Sequence, residues 1–432
     1  MGRRFRKFFL LIFQCWIKLS QGRLNISILG TIISAAKSRY CVKFNLTMKN
    51  NRRDFLKKSV LGSAGLGIAA VLPFDLQASK SYNAQSNPLE IRKSARIKFA
   101  VIGMNHGHIY SMTAAIIRGG GELVYYYAKE SDLNDEFGKR YPKATLAKSE
   151  EQVLQDSSIN LVLSAGIPSD RAPLGIRVMK SGKDYMSDKP GITSLKQLAE
   201  ARKVQKVTGQ IYSIMYSERL ENRATIKASE LVAQGAIGKV VQTIGLGPHR
   251  MRPEGRPAWF FDMNQVGGII TDIASHQFDQ FLHFTGSKEA KILAAQVKNV
   301  NHPQYVGFED FGDAMVSGDG GSGYVRVDWF TPDGLDSWGD GRLTILGTEG
   351  FIEIRKNIDI ASGNKGGNHL YLSDNKSTIH MDCRDVELPF GHQMVDDVVN
   401  RTNKAMPQEH CFLTMELALK AQKLGIKTQS KS

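Results

Sequence analysis

The stretch from Arg96 to Gly120, RIKFAVIGMNHGHIYSMTAAIIRGG, restricts the fold of this chain more than any other. Its apolar run Ile97 to Ile102 has the length of a buried strand, Gly103 ends the run, and apolar residues then recur at helical spacing. The alternation continues to residue 209 through the strand-like runs ELVYYYA, INLVLSAGIP and DYMSDKP and the helical patterns RAPLGIRVMKSGK and SLKQLAEARKVQKVTG. This alternation predicts a doubly wound parallel sheet.

The turn after the first strand lies where a dinucleotide-binding fold holds a pyrophosphate. Gly103, Asn105 and His108 occupy the three glycine positions of its fingerprint, and Gly107 adds a glycine. Asn tolerates left-handed backbone geometry, whereas His108 has to fit where close packing normally requires Gly or Ala. The imperfect fingerprint predicts a dinucleotide site formed by Gly103, Asn105, His106, Gly107 and His108.

The end of the second strand bears on the choice of cofactor. An acid at this place normally binds the ribose hydroxyls of NAD, but here Ala128 is followed by Lys129. A lysine suits a 2′-phosphate, so the cofactor is expected to be NAD or NADP with a preference for NADP. A solvated loop lysine explains the same residues equally well.

The positive charge of the chain is confined to its first part. Residues 1–80 hold fifteen Lys and Arg and two acids, so +13 of the net charge of +15 falls there. The remaining residues are almost neutral, which removes the main support for a nucleic-acid partner.

This basic part has the layout of an export signal. Arg52-Arg53 precede an apolar, Gly/Ala-rich run in NRRDFLKKSVLGSAGLGIAAVLP, which indicates export by the twin-arginine machinery. Residues 48–84 are interpreted as signal and leader, and residues 1–47 as a mis-assigned extension before the start at Met48. Residues 85–95 form a polar linker. We expect a periplasmic or otherwise exported protein, which an uncleaved leader would tether to the membrane.

Two later motifs stand about 80 residues apart. The first is Asp188-Lys189-Pro190, and the second is Gly267-Gly268 followed by Asp272, His276 and Asp279. With the dinucleotide-type turn before them, they resemble the Gfo/Idh/MocA family of nicotinamide-dependent oxidoreductases over residues 96–428.

The resemblance implies two domains. Residues 96–215 would form the Rossmann domain, and residues 216–432 an α+β domain with an open, mostly antiparallel sheet and C-terminal helices. The runs GKVVQTIGLG, KILAAQVKNV, FGDAMVSG, GSGYVRVDWF, GRLTILG and GFIEIRK agree, because they are strand-like and separated by Gly and Asp. A homo-oligomer formed through this sheet is expected.

The resemblance also gives Pro168, Lys189 and Pro190 as cofactor contacts. The family's Ala-Thr-Pro-Asn-x-x-His segment is here GIPSDRA, which keeps Pro168 but lacks the Asn and the His. The groups around the nicotinamide ribose therefore differ from the family pattern.

The segment TDIASHQFDQ supplies the candidate catalytic groups. If it is helical, Asp272 and His276 are four residues apart and share a face. His276 is the candidate base, because imidazole titrates near neutrality; Asp272 would orient it or bind a hydroxyl, and Lys189 would hold the reacting oxygen. A buried structural histidine, a helix N-terminal acid and a surface lysine are the alternatives.

No metal site is expected from these residues. Asp279 lies seven positions after Asp272, and no second histidine has ligand spacing.

The segment GPHRMRPEGRPAWFFD is the candidate substrate loop. Its His249, Arg250 and Trp259, together with Asp272, combine charge and hydroxyl-binding groups with an aromatic ring, as a carbohydrate requires. A subunit-interface loop is the alternative.

The sequence leads to one functional hypothesis and two alternatives. The first is an exported oxidoreductase that transfers a hydride between a nicotinamide cofactor and a sugar, polyol or sugar derivative. The second is a redox-neutral glycoside hydrolase or epimerase that oxidises its substrate transiently with tightly bound NAD(P). The third is a noncatalytic carbohydrate-binding protein on this fold.

Overall fold

The computed structural model describes residues 96–362 and 366–429. The predicted extension 1–47, the signal and leader 48–84 with Arg52-Arg53, and the linker 85–95 lie outside the described residues, so the structure does not test them.

Six strands form a parallel sheet in the order β3-β2-β1-β4-β5-β6. They are β1 (Ile97–Ile102), β2 (Gly121–Tyr127), β3 (Thr145–Leu146), β4 (Leu161–Ser164), β5 (Asp184–Asp188) and β6 (Tyr212–Met215). All residues of β4, β5 and β6 are buried, as expected where helices cover both faces of a parallel sheet. The order reverses between β1 and β4, where Rossmann sheets bind their ligands at the carboxyl ends of the strands. The predicted Rossmann-type sheet is confirmed.

Two of the five helices of this half begin with a side-chain cap. The five helices are α1 (His108–Arg118), α2 (Ser131–Arg140), α3 (Glu150–Gln155), α4 (Pro168–Lys180) and α5 (Leu195–Thr208). The Ser149 and Ser194 hydroxyls accept hydrogen bonds from backbone N–H groups in the first turns of α3 and α5, which satisfies donors that a helix otherwise leaves free. Helix α1 has no side-chain cap.

Eight strands form the second sheet, in the order β14-β13-β12-β11-β7-β10-β9-β8. They are β7 (Val240–Pro248), β8 (Ala290–Lys298), β9 (Phe311–Gly318), β10 (Ser322–Asp328), β11 (Arg342–Gly347), β12 (Gly350–Arg355), β13 (His369–Asp374) and β14 (Thr378–Asp382). Only β7 and β10 pair in parallel; the other pairs are antiparallel. The predicted open, mostly antiparallel sheet is confirmed.

Helices cover one face of this sheet. The α-helices that follow β6 along the chain are α6 (Ser217–Leu220), α7 (Arg223–Ala233), α8 (Met263–Val266), α9 (Ile269–Asp272), α10 (Ser275–Thr285), α11 (Phe390–Asn400) and α12 (Gln408–Gln429). Helix α10 lies so close to β7 that a Cβ on Gly245 would come within 2.7 Å of the Gln277 side chain. Glycine in β7 therefore brings α10 onto the sheet.

Helix α11 returns to the first sheet. A Cβ on Gly391 would lie 1.9 Å from the carbonyl oxygen of Ala115 in α1, so the two backbones touch. The predicted second domain, 216–432, thus contains a helix that packs on the Rossmann half. Among the described residues, no helix combines the length and the apolar character needed to span a membrane.

Candidate active site

A cavity of about 480 Å³ lies where the carboxyl ends of the parallel strands meet α9 and α10. It brings together eight residues that the sequence analysis selected: His106, His108, Pro168, Lys189, His249, Trp259, Asp272 and His276. They come from both halves of the chain.

A smaller cavity of about 260 Å³ lies beside the ends of β1, β2 and β4. Gly103, Asn105 and Lys129 line it, as does Glu130, which the sequence analysis did not select. One Glu130 carboxylate oxygen accepts a hydrogen bond of 2.8 Å from the Asn105 amide.

Three predicted site residues line neither cavity. Gly107 is the exposed N-cap residue of α1, and Pro190 is buried behind Lys189. Arg250 donates to the backbone carbonyls of Pro332 and Ser337 at 3.0 and 2.7 Å. The Arg250 side chain therefore holds the neighbouring loop, and the structure does not place it at the cavity.

Lys189 and Asp272 form an ion pair inside the larger cavity. The Lys189 Nζ lies 2.8 Å from Asp272 Oδ1, and the side chains are only 7% and 13% exposed. Burial opposes ionisation of Asp272, but the Lys189 ammonium outweighs it and lowers the pKa of the carboxyl. The pair is therefore charged and accessible to a ligand from the cavity.

The backbone before Asp272 requires two glycines. Gly267 and Gly268 have φ angles of 88° and 97°, and a Cβ on Gly268 would meet the Gln422 side chain at 2.2 Å. Gln422 and Glu309 then accept hydrogen bonds from the backbone N–H groups of Ile270 and Ile269, each 3.0 Å long. These contacts fix the first turn of α9, which carries Asp272 at its end.

The helix expected over TDIASHQFDQ is interrupted. Helix α9 ends at Asp272 and α10 begins at Ser275, with a turn at Ile273 and Ala274. Asp272 and His276 still line the same cavity, although the regular i, i+4 spacing of one helix does not produce this arrangement.

His276 is buried, and its Nδ1 has no hydrogen-bond partner among the described residues. The pKa of His276 is lowered to about 4, chiefly by burial; Glu218 acts to raise the pKa, and Lys189 acts to lower it. The imidazole is thus neutral at pH 7 and able to accept a proton. The near-neutral pKa assumed from the sequence does not hold, because the site is desolvated.

A second buried ion pair borders the cavity and carries no sequence signature. Lys356 donates to Glu218 at 2.5 Å and to Gln280 at 2.7 Å. Burial opposes ionisation of Glu218, but Lys356 and His276 lower its pKa to about 2. Glu218 and Lys356 are 138 positions apart, so no local spacing could have indicated them.

The two histidines of the phosphate turn contact the first residue of the Asp-Lys-Pro motif. The Nδ1 atoms of His106 and His108 lie 2.8 and 2.9 Å from the Asp188 carboxylate, and the Arg171 guanidinium lies 3.3 Å from it. Burial opposes ionisation of Asp188, but His108, Arg171 and His106 hold its pKa well below the ordinary value. An ionised carboxylate only accepts hydrogen bonds, so both histidines donate from Nδ1.

His106, His108 and Asp188 also offer potential metal ligands, whose atoms lie within 4.8 Å of one another. The expectation of no metal site concerned only Asp272, His276 and Asp279, so this group was not predicted. Asp279 lies elsewhere: it is fully buried between Arg219 and His410, whose nitrogens approach it to 2.6–2.8 Å, so its position indicates a structural ion pair.

Aromatic side chains form the opposite wall of the cavity. His249 makes edge contacts with Trp329 and Trp338, with ring centroids 5.4 and 4.5 Å apart. The Arg256 guanidinium lies over Phe260 and Trp329. Such a wall suits the C–H faces of a carbohydrate.

The phosphate turn has the properties that a dinucleotide requires. Gly103 adopts a φ of 81°, and a Cβ there would lie 3.0 Å from the Gly166 backbone. The uncapped start of α1 leaves backbone N–H donors that can bind an anion. Gly103, Asn105 and the first turn of α1 therefore fit a pyrophosphate.

Comparisons with known proteins agree with this arrangement. Residues 225–353 match the family described as GFO/IDH/MocA C-terminal domain. The NADP(+)-dependent scyllo-inositol 2-dehydrogenase of Bacillus subtilis (strain 168) is 24% identical over 221 residues, 50% of this chain and 59% of that protein. The chain thus spans little more than half the length of this curated relative.

Two solved structures extend the comparison to most of the described chain. A candidate oxidoreductase from Erwinia carotovora atroseptica SCRI1043 is 44% identical, with a TM-score of 0.74, covering 76% of this chain and 98% of that one. A levoglucosan dehydrogenase in complex with NADH and levoglucosan, 15% identical, shares the fold with a TM-score of 0.64, covering 78% and 97%. The chain belongs to the Gfo/Idh/MocA family of oxidoreductases.

Proposed function

We propose that this protein is an oxidoreductase that transfers a hydride between a nicotinamide cofactor and a sugar, polyol or sugar derivative. The observation that carries the proposal is the charged Lys189–Asp272 pair beside neutral, buried His276 in one cavity. The polyol and the anhydrosugar in the names of the two dehydrogenases above support the substrate class.

The three side chains have complementary roles. A bound nicotinamide would take or return the hydride of the carbinol carbon. His276 accepts the proton of the same hydroxyl group, because it is neutral at pH 7. Lys189 donates a hydrogen bond to the reacting oxygen, and Asp272 fixes the Lys189 ammonium.

The test is a panel of free sugars, polyols and glycosides added to the purified protein, read by the fluorescence of bound reduced nicotinamide. Reduction of the cofactor with formation of a carbonyl product would support the proposal. A free product with no net change in the nicotinamide would instead identify redox-neutral hydrolysis or epimerisation. Sugar binding without any nicotinamide signal would identify a noncatalytic carbohydrate-binding protein and contradict the proposal.

A preference for NADP is part of the proposal. Lys129 lines the smaller cavity and is exposed, so its ammonium is available to a 2′-phosphate, whereas one oxygen of Glu130 is already bound to Asn105. We expect Lys129→Ala to lower the NADP-to-NAD affinity ratio about tenfold, a change that corresponds to ~1.4 kcal/mol. Titration of both nucleotides measures the ratio, with Lys139→Ala on α2 as the matched control. Wild-type protein purified with NAD alone would contradict the preference.

Export with the cofactor already bound is a further part of the proposal, and it rests on Arg52-Arg53 ahead of the apolar run. The twin-arginine route carries folded proteins, so the nucleotide would enter in the cytoplasm. We expect replacement of both arginines by Lys, which keeps the charge, to leave folded protein in the cytoplasm. Cell fractionation measures this, and unchanged export of the variant would refute the assignment of the signal.

We also propose that the protein is a homo-oligomer through its second sheet. The face of this sheet that the helices leave uncovered exposes Ile244, Met315, Leu346 and Phe351, which are 36–50% accessible. An apolar face of this kind favours burial against a second copy.

A further inference from the structure

We propose that the substrate carries a carboxylate, as a uronic or aldonic acid does, and that Arg256 binds it. This inference rests on the proposed function, because it names the substrate class of the same cavity. It follows from which charged side chains of the cavity wall have an oppositely charged partner and which do not.

Four cationic side chains of the described residues line the cavity: Arg171, Lys189, Arg256 and Lys356. Three of them have a carboxylate partner. Lys189 pairs with Asp272 at 2.8 Å, Lys356 with Glu218 at 2.5 Å, and Arg171 with Asp188 at 3.3 Å.

The remaining acid of the wall is also neutralised. Glu221 pairs with Arg118, with a nitrogen–oxygen distance of 2.6 Å. Burial lowers the pKa of His249 to about 3 and, with smaller contributions from neighbouring groups, that of His106 and His276 to about 4, so these imidazoles add no charge at pH 7.

Arg256 is the exception. Among the described residues, the hydrogen bonds of its guanidinium go to backbone carbonyls, and no carboxylate forms an ion pair with it. Its Nε and Nη2 donate to the backbone carbonyls of Met251 and Arg250, at 3.0 and 3.2 Å. The other three of the five N–H hydrogens of a guanidinium have no acceptor among the described residues.

The surroundings of Arg256 strengthen an interaction with an anion. Its guanidinium lies 4.5 Å from the centre of the Phe260 ring and 5.0 Å from that of Trp329. These rings remove water from its faces but leave its edge, where a carboxylate binds in two parallel hydrogen bonds. Burial lowers the pKa of Arg256, and the Asp272 carboxylate opposes this effect. Arg256 lines the same cavity as Lys189 and Asp272, so a carboxylate bound to it would share the cavity with the reacting hydroxyl.

The amount of charge favours a carboxylate over a phosphate. The Arg256 guanidinium carries one positive charge, which matches a single negative charge, whereas a phosphate monoester carries about −1.5 to −2 at pH 7. The aromatic wall formed by Trp259, Trp329 and Trp338 then remains available for the carbon skeleton of the sugar.

The test compares matched acidic and neutral sugars on the purified protein with its nucleotide. The probes are glucuronate against glucose, galacturonate against galactose, and gluconate against glucitol, with binding read from the fluorescence of the cavity tryptophans. We expect an acidic sugar to bind at least about tenfold more tightly than its neutral partner. Arg256→Gln should abolish this difference, since a charged hydrogen bond contributes ~1.5–3 kcal/mol.

Two variants separate the proposed role from loop stabilisation. Arg256→Lys keeps the charge without the planar fork and should retain part of the preference. Arg252→Gln, in the same loop but outside this cavity, should retain all of it. Equal binding of acidic and neutral sugars, no binding of any acid, or an equal loss of both classes in Arg256→Gln would overturn the inference.

The outcome is independent of that for the proposed reaction. Turnover of neutral sugars without a preference for acids would refute the carboxylate and leave the hydride transfer intact. Arg256-dependent binding of an acidic sugar with no change in the nicotinamide would support the carboxylate site and refute the hydride transfer.

Discussion

His276→Ala is expected to reduce kcat by about 10²- to 10⁴-fold, the usual effect of losing a positioned general base. The variant should remain folded and keep its nucleotide, because His276 contacts the cavity and its Nδ1 bonds to no described residue. Asp272→Asn should cost less, since Asp272 acts on the oxygen only through Lys189. Single-turnover kinetics with the true substrate measures both.

The matched control for this variant is His283→Ala on the same helix. His283 is exposed and bonds to the Ser229 hydroxyl at 2.8 Å, outside the cavity, so turnover should not change. Near-normal turnover in folded His276→Ala would mean that another group accepts the proton.

The same variant has a signature in the pH profile. Because burial lowers the pKa of His276 to about 4, the imidazole is neutral and competent above that pH and is lost as a base when the pH falls through it. The acidic limb of kcat/KM should therefore lie near pH 4 in the wild type, and should disappear in His276→Ala.

Lys189→Met is expected to affect both activity and stability. It removes the donor to the reacting oxygen, for which we expect a loss of kcat of about 10²- to 10³-fold. It also leaves Asp272 ionised and desolvated without its cation, and breaking a buried pair in this way costs about 3–5 kcal/mol. Thermal unfolding and steady-state kinetics of the variant measure the two effects.

The double variant Lys189→Met, Asp272→Asn distinguishes the two effects. It should regain most of the stability, because no buried charge is left unpaired, while turnover stays low. The pair contributes stability above the ordinary carboxyl pKa of about 3.9, and this contribution is lost as the pH falls through the lowered pKa of Asp272. A stable Lys189→Met single variant with normal turnover would contradict both roles.

The sequence was sufficient to predict the site residues that belong to one motif or follow one strand. Lys189 follows β5, and Asp272 and His276 lie on consecutive helices, so their convergence on one cavity could be predicted from the Rossmann pattern and the family motifs. The turn at Ile273 and Ala274 could not be predicted, because the apolar and polar residues of TDIASHQFDQ follow a regular helical spacing. Strands β13 and β14 were also missed; β14 is an exposed edge with polar residues.

Contacts between distant segments were beyond sequence reasoning. That His106 and His108 contact the cofactor stays a prediction, but the bonds of their Nδ1 atoms to Asp188, 82 and 80 positions later, had no sequence signal. The Glu218–Lys356 pair joins α6 to the end of β12, and no periodicity relates two such residues. Both arrangements depend on how the two sheets pack, which a single sequence does not specify.

The cap of α9 has a consequence for the synthesis of the protein. The backbone N–H of Ile270 is bound by Gln422, which the ribosome adds 152 residues later. Until helix α12 has been synthesised and has docked, this N–H lacks its partner, so the turn that carries Asp272 cannot form all of its native contacts. We therefore expect the candidate site to be completed only after nearly the whole chain has been synthesised.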